Sequence, residues 1–308
     1  KGAYVLTNSN QGYGYTLALS AKAQPMKNLN LSASYVHTEG KEVSTMPGSA
    51  AASAFEGLYT VNGANYATLQ RSRYVIPDKF TANINYFLPI SIFGGDGLHL
   101  DLYYTAYSAG GYSYAYANDM NGDGNTADLM YIYPSGADVN FVEHTYTNGK
   151  SGDKLETYGT LSVADQIAAY DKYLAQDKYL SSHKGQYAEA NAARSPFVHR
   201  FDLRVAEDFS FKVAGTKHNF QLSLSIENLG NLLNSNWGVR KWSAYQTGTG
   251  ITAITPLTYA GTDASGKPTF YMTPTDGKIA MPESSYSKTY VSPTECWQVL
   301  VGIKYLFN

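Results

Sequence analysis

The sequence predicts an all-β fold: a transmembrane antiparallel β-barrel with long loops, one of them carrying a short helix. Three observations lead there. Segments of about 9 to 12 residues alternate apolar and polar side chains, close to what a tilted strand needs to cross a bilayer, whereas strands of water-soluble domains average about 5 or 6 residues. The connections between these segments are very unequal, as they are on the two rims of a membrane barrel. The composition is poor in charge, 16% Asp, Glu, Lys and Arg against about 25% in ordinary soluble chains, and rich in rings, with 28 tyrosines in 308 residues.

The alternation begins in residues 12 to 20, where Tyr13, Tyr15, Leu17 and Leu19 share one face. After a break at Pro25, Met26 and Lys27 it resumes with Leu29, Leu31, Ala33 and Tyr35. Phe80, Ala82, Ile84, Tyr86 and Leu88 interleave with Thr81, Asn83 and Asn85. Leu98, Leu100, Leu102 and Tyr104 do the same with His99, Asp101, Tyr103 and Thr105. In the clearest run, 218 to 228, Phe220, Leu222, Leu224 and Ile226 alternate with Asn219, Gln221, Ser223, Ser225 and Glu227. The last run, 297 to 307, is expected to form one continuous strand with Trp297, Val299, Val301, Ile303, Tyr305 and Phe307 facing lipid.

No apolar run approaches the roughly 18 residues of a membrane helix, and Lys1 to Leu6 has neither the apolar region nor the cleavage site of a signal peptide. Alternating strands hide their lipid face from such windows, so neither point argues against a barrel. Tyrosine suits the girdles of a barrel, where an apolar ring ends in a wet hydroxyl. A net charge of −2 gives no reason to expect nucleic acid as a partner. The single cysteine, Cys296, leaves no internal disulfide and no cysteine-based zinc site, and reads as a packed residue near a strand start.

Residues 25–28 and 213–217 read as tight turns, whereas 39–76, 109–197 and 247–294 are long, a division that fits short turns on one rim and long loops on the other. Counted back from a C-terminal strand running down to the periplasm, segment 109–197 falls on the periplasmic rim unless a strand is added. One more barrel strand is therefore expected around Lys267 to Thr273, giving eight or nine in all. Within 109–197, Val163, Ile167, Tyr170 and Leu174 recur at helical spacing; Ser162 and Asp165 make a capping-box pattern, and Gly185 lies past the expected end. The tyrosine run Tyr103, Tyr104, Tyr107, Tyr112, Tyr114 and Tyr116 leads into this loop and is read as interface anchoring, with stacking on sugars or peptides as the alternative.

The chemistry-bearing candidate is Asp119, Asn121, Asp123, Asn125 and Asp128. Oxygen side chains at alternate positions, with Gly124 after the third, match the first half of a calcium loop and predict a structural Ca²⁺. The bidentate Glu of that pattern is absent, Met130 standing in its place, and the bland alternative is a plain Asn/Asp/Gly turn. Catalysis has little support. His199 beside Arg200 and His99 beside Asp101 could be drawn as acid–base pairs, but a polar barrel lumen accounts for them better. Ser195 lies in Arg194-Ser195-Pro196, not in a nucleophile elbow. Gly94-Gly95-Asp96-Gly97 lacks the Lys-Ser/Thr of a phosphate cradle and reads as a turn. No enzyme is expected, and substrate-contacting residues cannot be chosen from the sequence.

A family resemblance adds to this reading. It is carried by Asn8 to Tyr15 with Tyr35 to Thr38, and by Asn62 to Tyr66 with Val75 to Phe80. Asp119 to Asn125 with Asp128 to Ile132 continues it, followed by Gln176 to Leu180, Gly185 to Glu189, Ala193 to Pro196 and His199 to Leu203. Glu227 to Asn234 with Trp237 and Gly238 completes it. In consistent order over nearly the whole chain, these segments resemble the barrel of Oar-type TonB-dependent outer-membrane receptors. The resemblance implies that residues 1–308 are the C-terminal part of a barrel of about 22 strands, without its plug domain and N-terminal strands, with 109–197 as a long loop. It implies the bacterial outer membrane, and energised uptake of a large nutrient through a plugged lumen. Outer-membrane lipid and TonB, reached through the absent N-terminal part, would be partners. The same fold serving protein secretion, adhesion or assembly with surface lipoproteins, or a self-contained porin-like barrel, are the alternatives. Gly302, Tyr305 and Phe307 resemble the terminal barrel-assembly signal, from which Leu300 and Asn308 depart.

Overall fold

The computed structural model describes the chain except residues 1–2, 47, 67, 109, 148–155, 243–252, 276–283, 287, 290–292 and 307–308. Its principal strands are β1 (Gly12–Met26), β2 (Leu29–Glu42), β3 (Asp78–Leu88), β4 (Gly97–Ser108), β5 (Gly111–Tyr116), β6 (Phe197–Val213), β7 (Thr216–Glu227), β8 (Ala253–Thr262), β9 (Pro268–Met272) and β10 (Gln298–Leu306). The chain is mostly β and its sheets are antiparallel apart from one pair, β5 with β8. No helix among the described residues is long and apolar enough to cross a membrane.

Seven strands make one antiparallel meander in the order β1-β2-β3-β4-β6-β7-β10, with the two-residue pair Gln70–Arg71 added beside β2. The meander is open, β1 and β10 being its two edges. The register puts residues of like character opposite each other. A single row runs Ala23, Leu31, Ile84, Leu102, Leu203, Ile226, Val299 through all seven strands. The other face carries rows such as Asn30, Asn85, Asp101, Arg204, Ser225. A slip of one residue at any pair would exchange the two faces, so the alternation itself fixes the register.

The turns alternate ends with the meander. Residues 27–28, 89–96 and 214–215 close one end, and 43–77, 109–196 and 228–297 the other. This corrects the expectation of an additional barrel strand: seven strands already place every long loop on one side. Within that stretch Pro268–Met272 does form a strand, β9, but it pairs with β8 outside the meander. The 214–215 turn shows how the short end is made. Ala214 (φ 50°) and Gly215 (φ 85°) both take positive φ, as a two-residue hairpin that follows the strand twist requires.

The long loops build a second structure. β5, β8 and β9 form a sheet, joined at its margin by Ala193–Arg194. Helix α2 (Val163–Gln176) and the short α3 (Lys178–Ser182) accompany it; α1 (Ala51–Glu56) and α4 (Leu229–Leu233) lie in the other loops. The expected helix is present with its capping box: Ser162 Oγ accepts from the Asp165 N–H at 3.2 Å and Asp165 Oδ2 from the Ser162 N–H at 3.3 Å. It is two helices rather than one. Asp177 is extended between them, and its Oδ1 caps α3 through the Leu180 N–H at 2.9 Å.

The hydrophobic core of the molecule lies here, not in the meander. Tyr114, Met130, Ile132, Ile254, Phe270 and Met272 are fully buried in it, as are Tyr112, Tyr116, Tyr170 and Tyr173. Interface anchoring is therefore corrected for Tyr112, Tyr114 and Tyr116, which belong to β5 and pack inside. Tyr104 lies on the apolar face of the meander, and Tyr103 and Tyr107 on the polar one. The last strand covers Gln298–Leu306, with Trp297 just before it; Phe307 lies outside the described residues.

Candidate functional site

Two faces of the meander set the chemistry of the molecule. Among the described residues no second layer of sheet or helix covers the apolar face: Leu17 is 67% exposed, Leu224 40% and Ile303 76%. Aromatic side chains gather at its two ends. Near the long loops, Tyr104 packs on Phe80 (5.7 Å between centroids) and Phe201 (4.7 Å). Near the short turns, Phe220 packs on Phe211 (5.3 Å) and Tyr305 (4.6 Å). Aliphatic residues fill the band between.

The polar face carries a hydrogen-bonded ladder. Asn85 Nδ2 donates to Asp101 Oδ1 at 2.7 Å, and Arg204 Nη1 to Asp101 Oδ2 at 3.1 Å. Arg204 Nη2 then reaches Gln221 Oε1 at 2.7 Å, and Gln221 Nε2 reaches Asp208 Oδ1 at 2.8 Å. His99 Nε2 lies 2.7 Å from Asp208 Oδ2, so its carboxylate partner is Asp208 rather than Asp101. His199 lies on the apolar face, where its Nδ1 meets the Tyr104 hydroxyl at 2.7 Å, while Arg200 on the polar face bonds Asp202 and Glu227. Neither histidine is paired as the sequence patterns suggested.

The residues singled out for a cation do come together in one turn. Asp119 accepts from the Gly122 N–H at 2.7 Å and the Gly124 N–H at 2.8 Å, where positive φ at both glycines turns the backbone inward. Asn121 Oδ1 accepts from Asp123 N at 2.9 Å, and Asp123 Oδ1 from Asn125 N at 2.8 Å. Asp128 closes the turn, accepting from Met120 N and the Asn121 side-chain amide, both at 2.7 Å. Burial pushes the Asp128 carboxyl above its usual range, and the nearby Asp123 and Asp119 add to this, against the pull of its backbone donors. These are nested Asx turns; among the described residues no three His, Cys, Asp or Glu side chains are grouped to hold a metal.

The turn sits where two loops meet. Thr60 N donates to Ala127 O at 3.1 Å and Leu129 N to Thr60 O at 2.8 Å, and a Cβ on Gly63 would stand 2.6 Å from Asp123 Oδ2. Beside this junction lies a cleft of about 580 Å³, whose walls include Lys41, Tyr59, Asn62, Tyr66, Arg71, Tyr187 and Glu189. Arg71 donates to Glu39 Oε1 at 2.8 Å, with Glu189 Oε2 3.9 Å from its Nε. Tyr66 is 70% and Tyr187 50% exposed. Rings, amides and one guanidinium along a cleft of this size suit a polar ligand with apolar faces. Sequence reasoning missed the cleft because its walls, 59–71 and 187–190, are far apart in the chain; the resemblance segments Asn62 to Tyr66 and Gly185 to Glu189 were the signal available.

A buried cluster holds the loops together. The Asp177 carboxylate accepts from the hydroxyls of Tyr114 (2.6 Å) and Ser285 (2.9 Å). Tyr173 and Gln176 also reach Ser285, at 3.0 and 3.1 Å. Burial raises the Tyr114 and Tyr173 hydroxyls well above the usual phenol range, so both stay protonated as donors. No protein-family model, no curated protein and no solved structure matches this chain.

Proposed function

We propose that the chain is a membrane-embedded section of a larger outer-membrane β-barrel. Its long loops stand on the outer side, and it serves TonB-dependent uptake of a large nutrient. The observation that carries the reading is the uncovered apolar face with an aromatic cluster at each end. From Phe201 to Phe211 along β6 is about 33 Å at about 3.3 Å per residue. With the strand tilted about 40°, that spans roughly 25 Å, the height of the apolar band on a transmembrane barrel. A soluble sheet this wide would bury such a face under a second layer.

The open edges of β1 and β10 support a larger barrel, because unpaired strand edges in lipid leave backbone donors and acceptors without partners. Further strands, toward about 22 in all, would pair them and enclose a lumen lined by the Asp101–Arg204–Asp208 ladder. Uptake, TonB as energy source and the Oar-type assignment rest on the sequence resemblance, with the cleft between the loops as the cargo-facing feature. Assembly with surface lipoproteins is the competing use of the same loops.

The test is fractionation of the intact protein. It should sediment with outer membranes, resist carbonate extraction and migrate faster on gels before boiling than after, as folded barrels do. Release as a water-soluble protein without detergent would end the proposal. Uptake of whatever ligand co-purifies should then stop when the inner-membrane proton gradient is collapsed.

A further inference from the structure

Glu207 interrupts an apolar row. Along β6 the same face carries Leu203, Val205, Glu207, Phe209 and Phe211, and the register sets Glu207 between Leu98 and Leu222. A bare carboxylate there would face lipid with its charge desolvated and unpaired, which is strongly unfavourable. It is instead 2% exposed, because the 89–96 turn folds across it. Glu207 Oε1 accepts from Ser91 Oγ (2.8 Å), Ile92 N (3.1 Å) and Gly95 N (2.9 Å), and Oε2 from Phe93 N (3.0 Å). Gly95 is required at this contact, since a Cβ would stand 2.7 Å from Glu207 Cγ and 2.4 Å from the Asp208 carbonyl oxygen.

The fold-over has a consequence at the surface. Residues 88–95 carry no charge, and with its backbone donors turned inward the turn presents Ile90 (53% exposed), Ile92 (56%) and Phe93 (71%). They leave the sheet on the apolar side, beyond the Gly97–Asp208 pair. That is the level of Phe209 and its partner Phe220, where the lower aromatic cluster sits.

We propose that the 89–96 turn is a lipid-binding flap: locked by the Glu207 carboxylate, it inserts Ile90, Ile92 and Phe93 into the interfacial layer of the bilayer on the short-turn side. It rests on the membrane reading above. Lipid is the occupant because the flap continues the apolar face without a break and lies level with the aromatic cluster that marks the interface. The carboxylate serves as an internal acceptor that frees the flap from water, since four donors that would otherwise need hydration end on it.

Site-directed spin labels test this in the intact protein in lipid nanodiscs, in a Cys296→Ser background. Ile92→Cys reports on the flap, Leu224→Cys on the apolar face and Ala264→Cys on the loop structure. Collision with an aqueous nickel chelate should be lost at Ile92 and Leu224 and retained at Ala264. Chelate access at Ile92 with none at Leu224 would overturn the flap and leave the membrane reading standing. Access at both would remove the membrane reading and the flap with it. Adding Glu207→Ala should sharpen the Ile92 spectrum toward fast motion while the Leu224 spectrum stays unchanged; an unaltered Ile92 line shape would show that the carboxylate does not lock the turn.

Discussion

The meander and the loop structure solve opposite problems with the same residue types. In the meander, leucine, isoleucine and phenylalanine stand on an uncovered face, and serine, asparagine and arginine hydrogen-bond across the other. In the loop structure the apolar residues point inward around Phe270 and Met272, and tyrosine hydroxyls are tied off inside. Tyr104 and Tyr114 make the contrast concrete: one ring lies on an outer face against Phe80 and Phe201, the other is fully buried with its hydroxyl on Asp177. On the membrane reading proposed above, the difference is one of solvent: the loop structure would have water on its outside, and the meander lipid on one face and water on the other.

The sharpest way to separate the two is to damage each core-like surface in turn. Phe270 is fully buried, stacked on Tyr116 at 5.3 Å and edge-on to Tyr133 at 5.9 Å. Phe270→Ala should cost about 3–5 kcal/mol, confined to the loops. Limited proteolysis should then cut within 109–196 and 253–275 while the strands stay protected. Simultaneous loss of strand protection would mean that the two structures are one cooperative unit.

A smaller effect is expected on the meander, and its sign depends on the solvent. Leu224→Arg places a charge mid-strand on the apolar face. In a bilayer it should destabilise the barrel by about 2–4 kcal/mol, measured as a shift of the urea midpoint in lipid vesicles. On a water-facing sheet the same exposed site would change stability by less than about 0.5 kcal/mol. A null result would therefore place water on this face.

The loop clasp comes next. Tyr114→Phe leaves the Asp177 carboxylate without its shortest donor and should cost about 1–3 kcal/mol. Amide exchange should accelerate in α2 and α3 but not in β6 or β7. Exchange rising everywhere would deny the independence of the two structures.

How much of this was legible in the sequence follows from the range of the interactions. Six of the seven meander strands were readable because period-two alternation is a local signal; β6 was not read out, and without it the strand count put 109–197 on the wrong rim. The capping box at Ser162 is local too. The loop core was not readable. Tyr112, Tyr114 and Tyr116 alternate with small residues just as a membrane strand does, and only pairing with β8, well over a hundred residues away, turns them inward. Glu207 was passed over for a related reason: one carboxylate in an apolar row acquires meaning only once the 89–96 turn is seen to cover it.

The smallest expected effect tests the structural Ca²⁺ that the sequence pattern suggests for the Asx turn at the loop junction. Asp119, Asn121, Asp123, Asn125 and Asp128 form a turn already closed by its own N–H donors, so the ion adds to a shape that exists without it. Three carboxylates share this turn, and hard oxygen donors favour Ca²⁺ over softer-site metals. The sign of the pH effect follows from Asp128. Its carboxyl is raised in the folded state, so the proton competes with the cation, and calcium affinity should grow as pH rises through that raised value. Without the ion the same raised carboxyl favours the folded loop slightly as pH falls, because the folded state then holds the proton more tightly than the unfolded one. Calcium titrations by calorimetry on either side of that raised value should therefore differ, with tighter binding on the high-pH side, and Asp123→Ala should weaken binding on both. Equal protease sensitivity of residues 109–196 with calcium and with chelator, together with no heat of binding, would leave the turn as hydrogen-bonded backbone alone.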